Sequence, residues 1–296
     1  MTVAAVVALL AIELRRVDVA TTFAHVWWPL VGAALVATGL SQVVAAANVQ
    51  GFSAAPLRLT ALVRAQLSIC FARVLAPNAL STPAILTRHL TRSGLNAPAA
   101  VGVVAAAQGV QVAITSVLVV IVSVTGGSGW RLPLLGGPVV LAAAVVAVPT
   151  VAGLALLARR IPLGRQATRA VAESVRSVVA HVREHPRRTA YAALAGLLLT
   201  VLHVTAFACL VAATGSPVSV TAVTLVYLGA STAGSLIPTP GGIGAVEAAL
   251  TAGLVATGAS ASAAAAAAVL TRAVTVWAMV GPGWFAMRSL RRDGLL

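Results

Sequence analysis

The chemistry in this chain is concentrated at Ile237-Pro238-Thr239-Pro240-Gly241-Gly242-Ile243-Gly244-Ala245-Val246-Glu247. Here two prolines, three glycines and a carboxylate interrupt sequence otherwise apolar enough to cross a bilayer. Prolines donate no backbone hydrogen bond, and glycines loosen a helix. Backbone freed in this way must face protein or water, never lipid tails. A broken membrane helix with an ionisable side chain beside it is the usual mark of a transport or binding site. Free N–H groups at the start of a helix running through Glu247 would attract an anion. The Glu247 carboxylate could cap those groups, pair with an arginine or take up a proton. A glycine-permitted bend with a capping glutamate is the plainer reading.

Arg272 is the single arginine deep in the last apolar stretch. A buried arginine in a membrane normally finds a carboxylate or a phosphate. Glu247 is the nearest acid and the only one of six deep in apolar sequence, so it is the expected partner. Arg64 and Arg73 flank a second interruption, Leu75-Ala76-Pro77-Asn78-Ala79-Leu80-Ser81-Thr82-Pro83. The candidate substrate-binding residues are thus Glu247, Arg272, Gly241, Gly242, Gly244, Pro238, Pro240, Arg64 and Arg73. Snorkelling to the interface accounts for Arg88 and Arg92.

Enzyme chemistry finds little support. Asp18 and Asp293 lie in no nucleophile motif, and His25, His89, His181, His185 and His203 form no metal-ligand cluster. His181 and His185 read as solvated, and His203 as bonded to a neighbouring helix. Cys70 and Cys209 have no disulfide or zinc spacing and read as small core residues. Gly241-Gly242-Ile243-Gly244 is no dinucleotide fingerprint, because no strand–turn–helix unit surrounds it. The expectation is a non-enzyme with no catalytic residue, no metal and no cofactor.

The elements that must position these residues are apolar runs of spanning length. They are Trp28–Ala47, Pro98–Val124, Pro133–Leu157, Tyr191–Ala213, Val218–Ile237 and Ser262–Met287. Leu59–Ala76 and the short Val246–Thr257 are candidates for half-helices or re-entrant segments. The expected fold is all-α, a polytopic α-helical membrane protein of about eight spans with two broken or re-entrant regions. One domain covers 1–296. Each break is followed by a short segment, then Gly94-Leu95-Asn96-Ala97-Pro98 or Gly258-Ala259-Ser260, then an Ala-rich span. That order points to an inverted repeat; chance likeness between Ala-rich stretches is the competing reading.

Mean hydropathy is +1.00, only 9% of residues are charged, and net charge is +14 with no lysine. In a soluble protein such basicity would suggest nucleic acid. Here the arginines flank spans, so orientation and anionic lipid explain them and no nucleic-acid partner is expected. Arg159, Arg160, Arg165, Arg169, Arg176, Arg183, Arg187 and Arg188 outweigh Glu173 and Glu184, which puts the basic segment 159–188 in the cytoplasm. Thr125–Leu132 and Thr214–Pro217 then lie outside. Arg165, Arg169, Arg176 and Arg183 fall on one helical face and Val171, Val175, Val178 and Val182 on another. The segment reads as a helix lying on the membrane or packed on the loops, stopped by Pro186. The basic tail at Arg288, Arg291 and Arg292 returns inside if Val246–Thr257 crosses, and the charge rule favours that crossing. Met1–Ile12 is too short to span and shows no cleaved signal; it reads as a shortened span or the stump of a longer protein. The expected location is the cell membrane, a bacterial plasma membrane.

The run Pro238-x-Pro-Gly-Gly-Ile-Gly-Ala-Val-Glu247-Ala-Ala-Leu250, followed by an Ala-rich span with Arg272, resembles the lysylphosphatidylglycerol synthase transmembrane-domain family. That family includes the flippase domain of the multiple-peptide-resistance factor. The resemblance extends from about Trp28 to Leu290 in the order of spans. It implies a fold of broken membrane helices that handles anionic or aminoacylated lipids or lipid-linked sugars. Gly241, Gly242, Gly244, Glu247 and Arg272 match the motif by position. Members often carry a Glu-Arg pair after the first break, where this chain has Gln108-Gly109, with Gln111 one turn on. No soluble aminoacyl-transfer domain follows Leu296, so the full synthase reaction is not expected. The leading expectation is a lipid flippase-like transporter whose partners are membrane lipids, above all anionic phospholipid. The alternative is a non-catalytic scaffold or subunit for a separate lipid synthase or glycosyltransferase. Ion or proton-coupled solute transport through Glu247 is a third, weaker reading, because acids are few. Oligomeric state stays open.

Overall fold

The computed structural model describes residues 26–53, 55–76, 78–125, 180, 182–236 and 244–296. The expected span Pro133–Leu157, the stretch Met1–Ile12, most of the basic segment 159–188 and the break residues Pro238, Pro240, Gly241 and Gly242 lie outside them. Among the described residues the chain is helical with no strand. The helices are α1 (Trp28–Gly51), α2 (Leu59–Leu75), α3 (Asn78–Arg92), α4 (Ala97–Thr125), α5 (Pro186–Ala213), α6 (Val220–Leu236), α7 (Ala245–Ala256) and α8 (Ala261–Arg292). Among the described residues, α1, α4, α5 and α8 are the helices long and apolar enough to cross a membrane. At 1.5 Å per residue, the 12 residues of α7 reach about 18 Å, well short of a hydrocarbon core of about 30 Å.

Contacts between helix ends fix the direction of each element. Trp27 N–H donates to the Ala213 carbonyl, joining the start of α1 to the end of α5. Asn48 Nδ2 donates to the Ala192 carbonyl at 2.8 Å, joining the end of α1 to the start of α5. The two helices are therefore antiparallel. They approach closely because Gly51 faces Ala192; a Cβ on Gly51 would stand 2.6 Å from the Ala192 Cβ. In lipid, small residues and interhelical hydrogen bonds of this kind replace the hydrophobic drive that packs soluble helices.

One apolar cluster joins Leu62 at the start of α2, Leu86 and Leu90 at the end of α3, Val49 on α1, Val103 on α4 and Leu290 on α8. So α2 and α3 form a hairpin that enters and leaves by the same end of the molecule. A second cluster joins Val211 on α5, Val223 and Val226 on α6, Leu254 on α7 and Ala264 on α8. Gly253 of α7 lies against Val226 of α6, so the end of α7 sits beside the start of α6. These two helices form a second hairpin, entering from the opposite end. The arrangement corrects the favoured crossing of Val246–Thr257. α6 and α7 turn back as a pair, and the tail still reaches the end where α2 begins.

The two halves now correspond: a long helix, a broken hairpin and a second long helix, running in opposite directions. Their joints match in detail. After α3, Leu95 N–H bonds the Leu90 carbonyl and Gly94 N–H the Thr91 carbonyl; after α7, Ala259 N–H bonds Leu254 and Gly258 N–H bonds Val255. Both are Schellman stops, with glycine in the left-handed region at φ 99° and 100°. Two residues past each glycine a side chain caps the next long helix: Asn96 Oδ1 accepts from Ala99 N–H, and Ser260 Oγ from Ala263 N–H. The first break is narrower than the sequence suggests. α2 runs to Leu75, α3 starts at Asn78, and Pro83 lies inside α3.

Arg58, Arg64, Arg88, Arg92, Arg183, Arg187, Arg188, Arg288, Arg291 and Arg292 all gather at the end where α2 and α5 begin, here the basic end. Arg73 and Arg272 are the two described arginines that do not. Residues 182–184 are helical, His185 leaves helical geometry, and Pro186 opens α5 in its first turn, as expected of a stop there. The tail is clasped to the first hairpin by Arg64, by Leu290 and by the Leu295 carbonyl, 3.3 Å from His89 Nδ1.

Candidate functional site

The second break delivers Glu247 to the interior. Gly244 stands at the N-cap of α7 with φ 87°, a conformation that L side chains avoid. Three residues on, Glu247 Oε2 accepts from the Gly244 N–H at 2.7 Å. This is the glutamate half of a capping box; a glycine cap has no side chain to return the bond. The same carboxylate meets Arg272 of α8, whose Nε lies 2.5 Å from Oε1 and whose Nη2 lies 3.4 Å from Oε2. The side chains are 10% (Arg272) and 15% (Glu247) exposed. Capping and arginine pairing, alternatives in the sequence, are both made by one carboxylate. Arg272 is eleven residues into α8, about 17 Å from its start and thus near mid-depth of a bilayer.

Directly after Arg272, α8 passes through a π-helical turn at Ala273–Trp277. Such turns widen the helix and recur at functional sites. Thr271 and Thr275 bond back to the carbonyls of Ala267 and Thr271, which keeps their hydroxyls satisfied.

The first break supplies Arg73, in the last turn of α2. Its Nε is buried and has no hydrogen-bond partner among the described residues. No carboxylate among them pairs with it. Tyr227 of α6 packs against Phe207 and His203 of α5, with ring centroids 5.5 and 6.4 Å apart. His203 was expected to hydrogen-bond a neighbouring helix; what the structure shows is a ring contact with Tyr227. Nearby on α2, Cys70 Sγ lies 3.4 Å from Gln42 Oε1, and Gln42 Nε2 bonds Ser41 Oγ. Two hairpins entering from opposite ends thus carry Arg73, in the last turn of α2, and Glu247, in the first turn of α7, at their inner ends, with Arg272 of α8 paired to Glu247.

Arg64 is not part of this arrangement. Its Nη1 bonds Ser289 Oγ at 2.7 Å and Asp293 Oδ2 at 2.6 Å, at the basic end, with the side chains of the ion pair 34% and 46% exposed. The structure does not bring it together with Glu247 and Arg272; it clasps the tail instead. Gly244 is at the site. Pro238, Pro240, Gly241 and Gly242 lie outside the described residues. Gln108 is exposed on α4, whereas Gln111 turns inward and donates from Nε2 to Thr200 Oγ1 at 2.6 Å. Its Oε1 is buried without a partner among the described residues. Tyr227 was missed at the sequence level. Its signal was its rarity, one of two tyrosines, set within an apolar run.

A match to the family described as the lysylphosphatidylglycerol synthase TM region covers residues 1–283. The chain belongs to this family. Comparison with curated proteins returned no match. The match covers both hairpins and the Glu247–Arg272 pair, so the polar centre of this lysylphosphatidylglycerol synthase TM-region member lies within its family domain. The family is one of membrane domains, and the four long apolar helices agree with a multi-pass membrane protein.

Proposed function

We propose that this chain is a flippase-like membrane protein. It draws the headgroup of an anionic phospholipid or lipid-linked precursor between the hairpin tips and passes it from one leaflet to the other. The observation that carries the reading is the enclosed Glu247–Arg272 pair, at mid-depth beside a chain break. An ion pair in that position is costly and persists where a polar path needs it. Two hairpins entering from opposite ends supply the broken, repeat-related elements on which alternating access is built. Family membership supports the link to lipid. The described arginines gathered at one end support the reading of that end as cytoplasmic, in a bacterial plasma membrane. The chain acts without covalent chemistry, its partners being lipids.

The test is movement of headgroup-fluorescent phosphatidylglycerol in proteoliposomes, read by an impermeant quencher. Protein-containing vesicles should lose signal from both leaflets, and empty vesicles from the outer leaflet alone. Quenching confined to the outer leaflet in both would refute translocation and leave the scaffold for a partner synthase.

A further inference from the structure

We infer that the site selects a lipid headgroup whose only charge is a phosphodiester anion, and that Arg73 takes that phosphate. The inference rests on the lipid-handling reading above and names its substrate class.

The charges at the centre are unequal. Glu247 is engaged twice, by the guanidinium of Arg272 and by the Gly244 N–H. Its negative charge is therefore committed. Arg73 stands at the facing tip with a buried Nε that bonds nothing among the described residues. An unpaired guanidinium in low dielectric is unfavourable, and one monoanionic phosphodiester restores neutrality. Arginine is suited to that role, because its fork of N–H donors matches phosphate oxygens.

An ammonium is not provided for. An aminoacylated lipid, or one with an ethanolamine headgroup, would need a carboxylate at the same depth. The sequence holds six acids, and Glu247 alone sits deep in apolar sequence. Asp293 is held by Arg64, and Glu184 precedes α5 at the basic end. Among the described residues the centre can neutralise an anion and has no free acid for a cation. On this ground the chain differs from what the family's description, with its lysyl-bearing lipid, would suggest.

The test is native mass spectrometry of the full chain in detergent, titrated with phosphatidylglycerol, phosphatidylethanolamine and lysylphosphatidylglycerol of equal acyl length, and with soluble glycerol phosphate. One charge-assisted hydrogen-bonded contact corresponds to roughly tenfold in affinity, so phosphatidylglycerol should bind about tenfold more tightly than the lysyl lipid. Arg73→Gln should abolish that preference. Arg73→Lys should keep most of it, and Arg64→Gln should leave it unchanged. Equal or tighter binding of the lysyl lipid would overturn the inference, as would an unaltered preference in Arg73→Gln. Displacement of phosphatidylglycerol by equimolar glycerol phosphate would show a soluble phosphoester as the ligand and overturn the lipid assignment. Binding and movement are separate readouts. Selective binding without quencher access refutes translocation and spares this site; movement without selectivity does the reverse.

Discussion

A double-mutant cycle across Glu247 and Arg272 should show strong coupling, and the structure sets its asymmetry. Removing one partner of a buried pair costs about 3–5 kcal/mol, because the other charge is left without compensation. Arg272→Ala leaves a carboxylate that still accepts from Gly244 N–H at 2.7 Å and sits in the first turn of α7, so its cost falls at the low end, about 3 kcal/mol. Glu247→Ala strands the guanidinium and also opens the cap. The lost first-turn charge adds about 0.3–1 kcal/mol, for a total of about 4–5 kcal/mol. The double variant buries no unpaired charge, so it should recover about 2–3 kcal/mol relative to the sum of the singles. Equilibrium unfolding in mixed micelles of rising SDS fraction measures all four proteins. Additivity within about 0.5 kcal/mol would refute the pair as an enclosed, energetically coupled unit.

Gly283 packs on α2, where an added Cβ would stand 2.5 Å from the Leu67 carbonyl oxygen, whereas one at Gly281 meets nothing within 4 Å. Gly283→Ala should therefore destabilise by about 1–3 kcal/mol and Gly281→Ala should not, measured in the same unfolding assay. With Cys70 and Cys209 replaced by Ala, Asn96→Cys should be shielded from an impermeant thiol reagent in intact cells and Ser219→Cys should react; the opposite pattern would invert the orientation. Burial holds the His89 imidazole below its usual pKa of 6.5; its contact with the Leu295 carbonyl opposes the shift and the Arg64 charge adds to it. The unfolded chain then binds the proton more readily, so this contribution is present above pH 6.5 and is lost as pH falls. His89→Gln should flatten the acid side of the stability curve.

Apolar runs bounded by Pro, Gly and polar caps made most helices legible, which is why α1, α4 and α5 begin and end within a few residues of expectation. Direction was not legible. The apolar run that became α6 looks like a span, and only its neighbours show that the chain turns back after it. The repeat was readable at Gly94-Leu95-Asn96 and Gly258-Ala259-Ser260, because a left-handed stop and a side-chain cap leave marks in residue type. Glu247 and Arg272 paired as expected because so few acids were available. Arg64 and Arg73 sit on the same helix and look alike in sequence, yet depth separates them. Arg64 is close enough to the basic end to reach Asp293, 229 positions away, while Arg73 is too far up α2 to do so. Tyr227 escaped notice because its ring partners, His203 and Phe207, come from a neighbouring helix.

The central claim is that lipid moves through the junction that Glu247 and Arg272 hold. Its most direct test is the rate of phosphatidylglycerol translocation by Glu247→Gln, reconstituted at the density of the wild type. Gln can still accept from Gly244 N–H but carries no charge for Arg272. The variant should insert and keep its helical spectrum while its translocation rate falls by at least tenfold, the kinetic counterpart of about 1.4 kcal/mol. Wild-type rates from a folded Glu247→Gln protein would contradict the account.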